Sequence, residues 1–290
     1  MNRHAYLIIA HEEPELLKKL ICFLDHPESD IFIHIDKKSK LLYSGDYTNS
    51  VKNASLNFVT SKPITWGGFS LVDCELDLLA LSTKTKHQYY HLLSGCDLPL
   101  MSYEEMLDFW EKNQGTEFIE FDTVQQKKPS IADKIGYYYF FQDVIGRKLD
   151  IFSVFLRKVE AFSIRLQKLA KINRMKKDKI ILQKGSNWFS ITDDLAHYII
   201  SKRNDISRMF AHTLCADEIF LQTVVYNSPF MKTTHKNNLR YIDWKRGTPY
   251  TFTMDDYDSL MSSSCLWARK FSSKKDEKII DAIYNSLIHH

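Results

Sequence analysis

The sequence predicts an α/β protein with a Rossmann-like, mostly parallel sheet flanked by helices. Three apolar runs of strand length stand in its first hundred residues, at Tyr6–Ala10, Asp30–Ile35 and Tyr89–Leu93. Between them, Pro14–Leu24 and Phe69–Leu81 carry apolar residues at three- and four-residue steps, as one face of a helix does. Strands that alternate with helices in this way pair in parallel, and the helices cover the sheet.

The remaining elements follow from the same two patterns, namely short apolar runs for strands and apolar residues at three- and four-residue steps for helices. We expect one helix to open at Asp217 and Glu218. No repeat, low-complexity tract or linker divides the chain, so residues 1–290 form one predicted domain. The other predicted elements are the strands Leu56–Val59, Glu117–Phe121, Trp188–Ile191 and Tyr241–Trp244 and the helices Asp194–Ser201 and Asp276–Ile288.

The composition is that of a globular protein of moderate charge. The 290 residues are 44% hydrophobic and 26% charged, and their net charge of +3 is too small to predict a nucleic-acid partner. Aromatic residues reach 13%, which fits either a sugar-binding surface or simply a large core, and core is the commoner use.

Cysteine usage and the first apolar run both bear on the cellular compartment. The cysteines are odd in number and none stands in a CxxC pair, so we expect reduced thiols in the cytoplasm. The run Ala5–Ala10 is too short for a signal peptide or a spanning helix. We therefore expect a cytoplasmic protein that meets a membrane, if at all, peripherally at its inner face. The cysteines are Cys22, Cys74, Cys96, Cys215 and Cys265.

Polar residues follow the predicted parallel strands or open the helices after them. His11, Asp36 and Asp97 come just after strands, and Trp66 precedes the second helix. In open parallel sheets, ligands bind beyond the carboxyl ends of the strands. These four residues are therefore predicted to share one ligand-binding rim.

The carboxylates do not form an obvious metal site. Asp97 has no second carboxylate two residues away, and one carboxylate holds Mg²⁺ or Mn²⁺ poorly. Glu120 and Asp122 alternate on a strand and could share a face, but we favour a substrate contact there. Asp256 and Asp258 are interpreted as a solvated turn or the start of a helix. No metal or other cofactor is expected.

Without a metal, a diphosphate group must be met by side-chain cations. Arg269 and Lys270 are the first candidates because Trp267 and Phe271 bracket them and indicate a partly buried segment. Arg240 is the next candidate, together with Lys245 and Arg246. The alternative for each of these cations is an ordinary solvated surface.

Cys215-Ala216-Asp217-Glu218-Ile219-Phe220 places two acids directly before an apolar run. A carboxylate at the mouth of an apolar helix is partly desolvated, which suits a general base at neutral pH. An N-cap is the alternative for either residue. We interpret Asp217 as the cap and Glu218 as the catalytic base.

Seven short motifs together carry a family resemblance over roughly residues 4–272. The chain resembles the core-2/I-branching N-acetylglucosaminyltransferases, a family that also contains the peptide O-xylosyltransferases. The resemblance implies a GT-A fold, a UDP-sugar donor, inversion at the anomeric carbon and no metal requirement. The motifs, in chain order, are His34–Lys38, Ile64–Gly68, Leu93–Leu100, Gly185–Trp188, Ala216–Glu218, Leu239–Trp244 and Ala268–Phe271.

Several residue roles follow from the resemblance alone. Glu218 matches the general base of the family, Lys270 its diphosphate-binding lysine and Asp36 the aspartate that recognises uracil. Glu120 and Trp244 match residues that hold the acceptor sugar in the branching enzymes.

One departure concerns the diphosphate. The family's second diphosphate-binding arginine has no counterpart within Thr248–Met254, and Arg269 or Arg240 is expected to substitute for it. The other predicted donor contacts are His11, Trp66 and Asp97, and Trp188 is a further predicted substrate contact.

The sequence thus predicts a glycosyltransferase that moves a GlcNAc- or xylose-like sugar from UDP to a hydroxyl of a glycan or lipid-linked glycan acceptor. A role in bacterial surface polysaccharide synthesis is expected. The alternative is a carbohydrate-binding or scaffold protein that has lost activity.

Residues 147–184 form a basic amphipathic helical insertion in this prediction. Ile151, Phe155 and Phe162 recur at helical steps, with Arg and Lys between them. Such a helix either lies in the headgroup region of an anionic membrane or packs its apolar face on the domain. Exposure of Phe152, Phe155 and Phe162 would favour the membrane interpretation.

Overall fold

A computed structural model describes residues 3–40, 44–122, 130–175 and 180–288. The strands are β1 (His4–Ala10), β2 (Ser29–Ile35), β3 (Ser55–Phe58), β4 (Tyr89–Ser94), β5 (Leu98–Pro99), β6 (Glu117–Ile119), β7 (Phe189–Thr192), β8 (Thr234–His235), β9 (Arg240–Ile242) and β10 (Trp267–Arg269). The helices are α1 (Pro14–Phe23), α2 (Phe69–Ser82), α3 (Tyr103–Lys112), α4 (Ile131–Gly136), α5 (Gln142–Ile145), α6 (Ile151–Leu169), α7 (Asp193–Ser201), α8 (Arg203–Phe210), α9 (Phe220–Tyr226), α10 (Tyr257–Met261) and α11 (Glu277–Ile288).

The main sheet has seven strands in the order β3-β2-β1-β4-β7-β6-β8. Its first four strands are parallel, whereas β7 runs antiparallel to both β4 and β6. In the register of the central strands, Ile8 of β1 stands opposite Ile33 of β2 and Leu93 of β4. The predicted α/β class and the mostly parallel sheet are therefore confirmed.

Helices cover both faces because successive side chains of a strand point to opposite faces. Leu7 and Ile9 of β1 join a core with α2, α7 and α9. Tyr6 and Ile8 join a second core with α1 and α3 on the other side. Parallel strands buried on both faces are continuously apolar, which is why their sequence pattern was so clear.

A small sheet of order β5-β10-β9 lies beside the carboxyl end of β4. Here Trp267 pairs with Arg240 in parallel and with Pro99 in antiparallel register. Strand β10 ends at Arg269, so Lys270 is the first residue after the strand. This C-terminal strand brings the Ala268–Phe271 motif back to the end of β4.

The predicted start of the helix at the acid pair was wrong. Residues Ala216–Glu218 form a single 3₁₀ turn, and α9 begins only at Phe220. Residue Ile219 occupies the N-cap position of α9, and no side chain caps that helix. The predicted capping role of Asp217 was therefore also wrong.

Helix α6 accounts for 19 residues, half of the predicted insertion 147–184. The predicted basic residues Lys176 and Lys177 lie outside the described residues. None of the helices in the described ranges combines the length and apolarity that a bilayer crossing requires.

Candidate active site

The carboxylate of Glu218 stands at the end of the 3₁₀ turn and is about a third exposed. Its Oε2 lies 3.1 Å from Nζ of Lys134 on α4 and 3.3 Å from Nζ of Lys184, which precedes β7. Two cations from distant parts of the chain therefore converge on the predicted base. Neither lysine was singled out in the sequence, because each lies in a segment with no recognised motif.

Lys184 links Glu218 to the end of β6. Its Nζ lies 3.1 Å from Oδ2 of Asp122, and its carbonyl accepts from the Asp122 N–H at 2.8 Å. Burial lowers the pKa of Lys184, but the Glu218 and Asp122 carboxylates outweigh that effect and leave the pKa above its ordinary value. The Lys184 side chain is thus a charged bridge between two acids.

Gly185 allows this bridge to form. A Cβ on Gly185 would lie 1.9 Å from the carbonyl oxygen of Glu120, so no other residue fits without moving the backbone. The Gly185 N–H also donates to the Glu218 carbonyl at 3.0 Å. The Gly185–Trp188 motif therefore places Lys184 beside Glu218.

Glu120 lies on the same side of the site, after β6. Its Oε2 accepts from Nδ2 of Asn238 at 2.7 Å. Burial raises the pKa of Glu120, Asp122 adds to the rise and Lys184 opposes it. Glu120 and Asp122 thus have protein partners, Asn238 and Lys184 respectively. No group of three or more potential metal ligands occurs in the described residues.

Asp217, the neighbour of Glu218 in the chain, makes no ion pair with Lys134, Lys184 or any other described residue. Its Oδ1 is buried and has no hydrogen-bond partner among the described residues. Burial, with the charge of Glu218 beside it, raises the pKa of Asp217 to about 7. Fully buried Glu75 on α2 also has a pKa well above the ordinary value, because of burial and then the charge of Asp217. Asp217, a partly buried residue, thus interacts electrostatically with both Glu218 and Glu75.

Asp97 and Arg269, both predicted donor contacts, pair with each other. Oδ1 of fully buried Asp97 accepts from Nη1 of Arg269 at 2.9 Å, and Oδ2 accepts from the Ser94 N–H. The Arg269 guanidinium also lies 4.4 Å from the ring centroid of Trp188. Burial raises the pKa of Asp97, while the Arg269 charge opposes that rise. Trp188 is buried and has its ring against this ion pair.

Arg240 ties the sheet together from within. The buried guanidinium donates to the carbonyls of Leu92 at 2.9 Å and Phe189 at 3.0 Å, and to Oγ of Ser190 at 3.2 Å. Burial lowers its pKa to about 10. Because these acceptors join β4 to β7, we remove Arg240 from the candidate diphosphate contacts.

Lys270 instead lines a surface cavity of about 510 Å³. Lys274, Lys275 and Arg246 line the same cavity, together with the carboxylate residue Glu12. Arg246 is already paired with two acids, Asp243 and Asp256. We call this cavity, defined by Lys270, Lys274 and Lys275, the lysine cavity.

His11 and Asp36 directly follow the carboxyl ends of β1 and β2 in the structure. The Asp36 N–H donates to the Ala10 carbonyl at 2.9 Å, so the chain leaves β1 and β2 side by side. Oδ1 of Asp36 accepts from the N–H groups of Lys38 and Ile64, whereas His11 is exposed.

Trp66 and Trp244 are both largely exposed, at 48% and 61%. The Arg147 guanidinium lies 4.2 Å from the Trp66 ring centroid. The next residue, Gly67, adopts φ of 72° and accepts from the Cys215 N–H at 2.9 Å. That bond holds the Trp66 turn against the turn that carries Glu218, while Trp244 follows β9.

A model of the Core-2/I-branching enzymes matches residues 4–262. The chain belongs to the Core-2/I-branching enzyme family. The mostly parallel seven-stranded sheet flanked by helices is consistent with the GT-A fold expected from the sequence. The family match extends over β1 to α10 and thus over the turn of Glu218, but it stops before Lys270.

Curated relatives of this Core-2/I-branching chain act on different sugars according to their names. Xylosyltransferase 2 of Rattus norvegicus is 25% identical over 97% of the chain, which spans 33% of that relative. The beta-glucuronosyltransferase GlcAT14B of Arabidopsis thaliana is 24% identical over 99% of the chain and 66% of its own length. The chain thus spans about a third of the length of the xylosyltransferases it matches.

Proposed function

We propose that this chain is an inverting glycosyltransferase that uses Glu218 as its general base. The observation that carries the proposal is the Glu218 carboxylate, partly exposed on a rigid turn and contacted by Lys134 and Lys184. The base removes the proton of an acceptor hydroxyl while that oxygen attacks the anomeric carbon of the donor sugar. The nucleoside diphosphate leaves from the opposite face of the sugar.

The two lysines have a positioning role in this proposal. Both ammonium groups contact Oε2, and within the described ranges Oε1 of Glu218 has no hydrogen-bond partner. Oε1 is therefore the oxygen that accepts the proton. A carboxylate held from two sides presents this oxygen in one orientation, which lowers the entropic cost of the reaction.

The donor is proposed to be a UDP-sugar whose diphosphate enters the lysine cavity. Lys270, Lys274 and Lys275 supply positive charge there, and ammonium groups bind phosphate oxygens without a metal. Asp36 is proposed to recognise the base, with His11 and Trp66 as neighbouring donor contacts. The Asp97–Arg269 pair stabilises the adjoining sheet.

The transferred sugar is proposed to be GlcNAc- or xylose-like, and the acceptor a glycan or lipid-linked glycan. Glu120 and Trp244 are the proposed acceptor contacts; Trp244 exposes an aromatic ring suited to stacking on a sugar. All five cysteines are free, which supports a reducing compartment such as bacterial cytoplasm. We propose surface polysaccharide synthesis as the setting.

A screen of UDP-sugars tests this proposal and its alternative, an inactive carbohydrate-binding or scaffold protein. Each UDP-sugar is offered with and without simple sugar acceptors, and released UDP is measured. Glu218→Gln keeps the shape of the side chain but cannot accept a proton, so transfer should fall by about two to four orders of magnitude. UDP affinity should stay nearly unchanged.

The matched control is Glu111→Gln, the same substitution at an exposed position of α3. It should retain full activity. Near-normal turnover by Glu218→Gln would remove Glu218 from the mechanism, whereas UDP binding without turnover of any UDP-sugar would favour the inactive alternative.

A further inference from the structure

Helix α6 turns its polar side chains toward the protein. Ser153, Glu160 and Gln167 are buried, and Leu156 is the apolar residue that accompanies them. An amphipathic helix of a globular protein normally does the reverse, because burial of its apolar face stabilises the fold. The orientation of α6 therefore needs a specific cause.

Hydrogen bonds to the preceding segment supply that cause. Oε1 of Gln167 accepts from the Tyr138 N–H at 2.8 Å, and its Nε2 donates to the Tyr138 carbonyl at 3.0 Å. Oε1 of Glu160 accepts from the Phe141 N–H at 3.4 Å. These bonds satisfy partly buried backbone groups of Tyr138 and Phe141 and hold the polar face of α6 inward.

The apolar face of α6 consequently points outward. We define the α6 patch as Ile151, Phe155, Phe162, Leu166 and Leu169, which are between 49% and 91% exposed. At 3.6 residues per turn these five side chains lie within an arc of about 60°. Phe152 and Leu149 are exposed beside it. Among the described residues, no other element covers this stripe.

The charges beside the α6 patch are positive. Lys158 and Arg165 are exposed and lie at one border of the stripe, within about 40° of Ile151 on the helix. The acid of this helix, Glu160, is buried on the opposite face. The outward surface of α6 therefore combines apolar side chains with basic ones.

We propose that the α6 patch binds the surface of an anionic lipid bilayer, with α6 lying in the plane of the headgroups. Aromatic and aliphatic side chains would enter the boundary between headgroups and acyl chains, while Lys158 and Arg165 contact lipid phosphates. An exposed apolar stripe of this kind marks an interaction site in most proteins. Its positive border fits an anionic surface better than a second copy of itself, because a two-fold pairing would bring like charges together.

Two ion pairs connect helix α6 to the proposed catalytic residue Glu218. Nζ of Lys168 on α6 lies 3.7 Å from Oδ1 of Asp133, and the next residue of α4, Lys134, contacts Glu218. Membrane binding through α6 would thus hold the active site near the lipid surface. This inference does not depend on the proposed reaction.

Vesicle sedimentation of the full chain tests the proposal. The chain should sediment at low salt with vesicles of phosphatidylglycerol and phosphatidylcholine, and remain in the supernatant with vesicles of phosphatidylcholine alone. The double variant Phe155→Ser/Phe162→Ser should weaken binding at least about tenfold, because each phenyl group loses its apolar environment. Ile181→Ser is the matched control, since Ile181 is similarly exposed at 55% but lies outside α6.

Charge reversal tests whether Lys158 and Arg165 contact lipid phosphates. Each lost cation near an anionic surface should weaken binding about fivefold, so Lys158→Glu/Arg165→Glu should reduce sedimentation strongly. Lys86→Glu, an exposed position before β4, is the control for net charge. Binding should also fall as salt concentration rises.

Three results would overturn the proposal. The first is no sedimentation with the anionic vesicles at low salt. The second is equal binding to both kinds of vesicle. The third is a dimer in light scattering that Phe155→Ser/Phe162→Ser converts to a monomer, which would make the α6 patch a self-association surface. Circular dichroism of every variant should match the parent, because the substituted side chains make few contacts within the fold.

Discussion

The Arg269 guanidinium donates to the buried Asp97 carboxylate at 2.9 Å, whereas the next residue, Lys270, lines the lysine cavity. This pair joins the end of β10 to the loop after β4, and the Trp188 ring covers the guanidinium from one side. Two adjacent cations of the sequence, Arg269 and Lys270, thus have separate roles. Arg269 neutralises a buried acid, whereas Lys270 lines the cavity.

Arg269→Met should therefore destabilise the fold. It leaves the Asp97 carboxylate buried without its cation, and breaking a buried pair from one side costs about 3 kcal/mol. The free energy of unfolding in urea measures this change. Lys270→Met is the matched control and should cost little. Equal stability of the two variants would contradict the structural role of Arg269.

Lys270→Ala should weaken UDP binding without unfolding the protein. The loss of a hydrogen bond to a charged group corresponds to about 1.5–3 kcal/mol of binding free energy. Calorimetry with UDP measures the affinity. Lys278→Ala, at an exposed position of α11, is the control. Unchanged affinity for UDP in Lys270→Ala would exclude the lysine cavity as the diphosphate site.

Transfer should continue in excess EDTA. The proposed diphosphate contacts are ammonium groups, and the acids after β6 are engaged by Lys184 and Asn238. Initial rates of UDP release with EDTA and with added Mn²⁺ measure the dependence. Strict Mn²⁺ dependence would contradict the proposal and would make Glu120 and Asp122 the candidate ligands.

Lys184→Met should slow transfer more than it weakens substrate binding. Glu218 would keep Lys134 but lose its second support, and misplacement of a reacting group costs up to about a hundredfold in rate. The separate values of kcat and KM distinguish the two effects. Lys184→Arg should recover part of the rate, and Lys112→Met on α3 should change nothing. A higher KM with an unchanged kcat would contradict this prediction and would indicate that Lys184 holds substrate.

Stability should depend on pH through Glu117. Burial raises the pKa of Glu117 from 4.5 to about 7, against two hydrogen bonds from Thr192. Between these pH values the folded state retains a proton that the unfolded state has released. The free energy of unfolding therefore falls as pH rises from about 4.5 to 7 and levels off above it.

Glu117→Gln should flatten this slope, because an amide has no proton to release. Denaturant unfolding at several pH values measures it. Part of the slope should remain in the variant, since the pKa of Asp217 is also raised to about 7. An unchanged slope would show that Glu117 titrates near its ordinary value in the folded protein.

The central strands and their flanking helices were predictable because both faces of the sheet are buried. Continuous apolar runs such as β1 and regular helical steps such as those of α2 record burial directly in the sequence. The predicted bounds of the short strands were less accurate. Glu117–Phe121 ends at Ile119 and Tyr241–Trp244 became Arg240–Ile242, because few residues define each of them.

The sequence by itself determined the α/β class, the position of Glu218 before an apolar helix and the amphipathic character of α6. Those are local properties that periodicity and neighbouring residues record. Only the tertiary structure decided which cation meets which acid, because Lys134, Lys184 and Arg269 find partners 84, 34 and 172 residues away. It also decided which face of α6 turns inward, because Gln167 and Glu160 find their hydrogen-bond partners in the backbone of Tyr138 and Phe141, far from them along the chain.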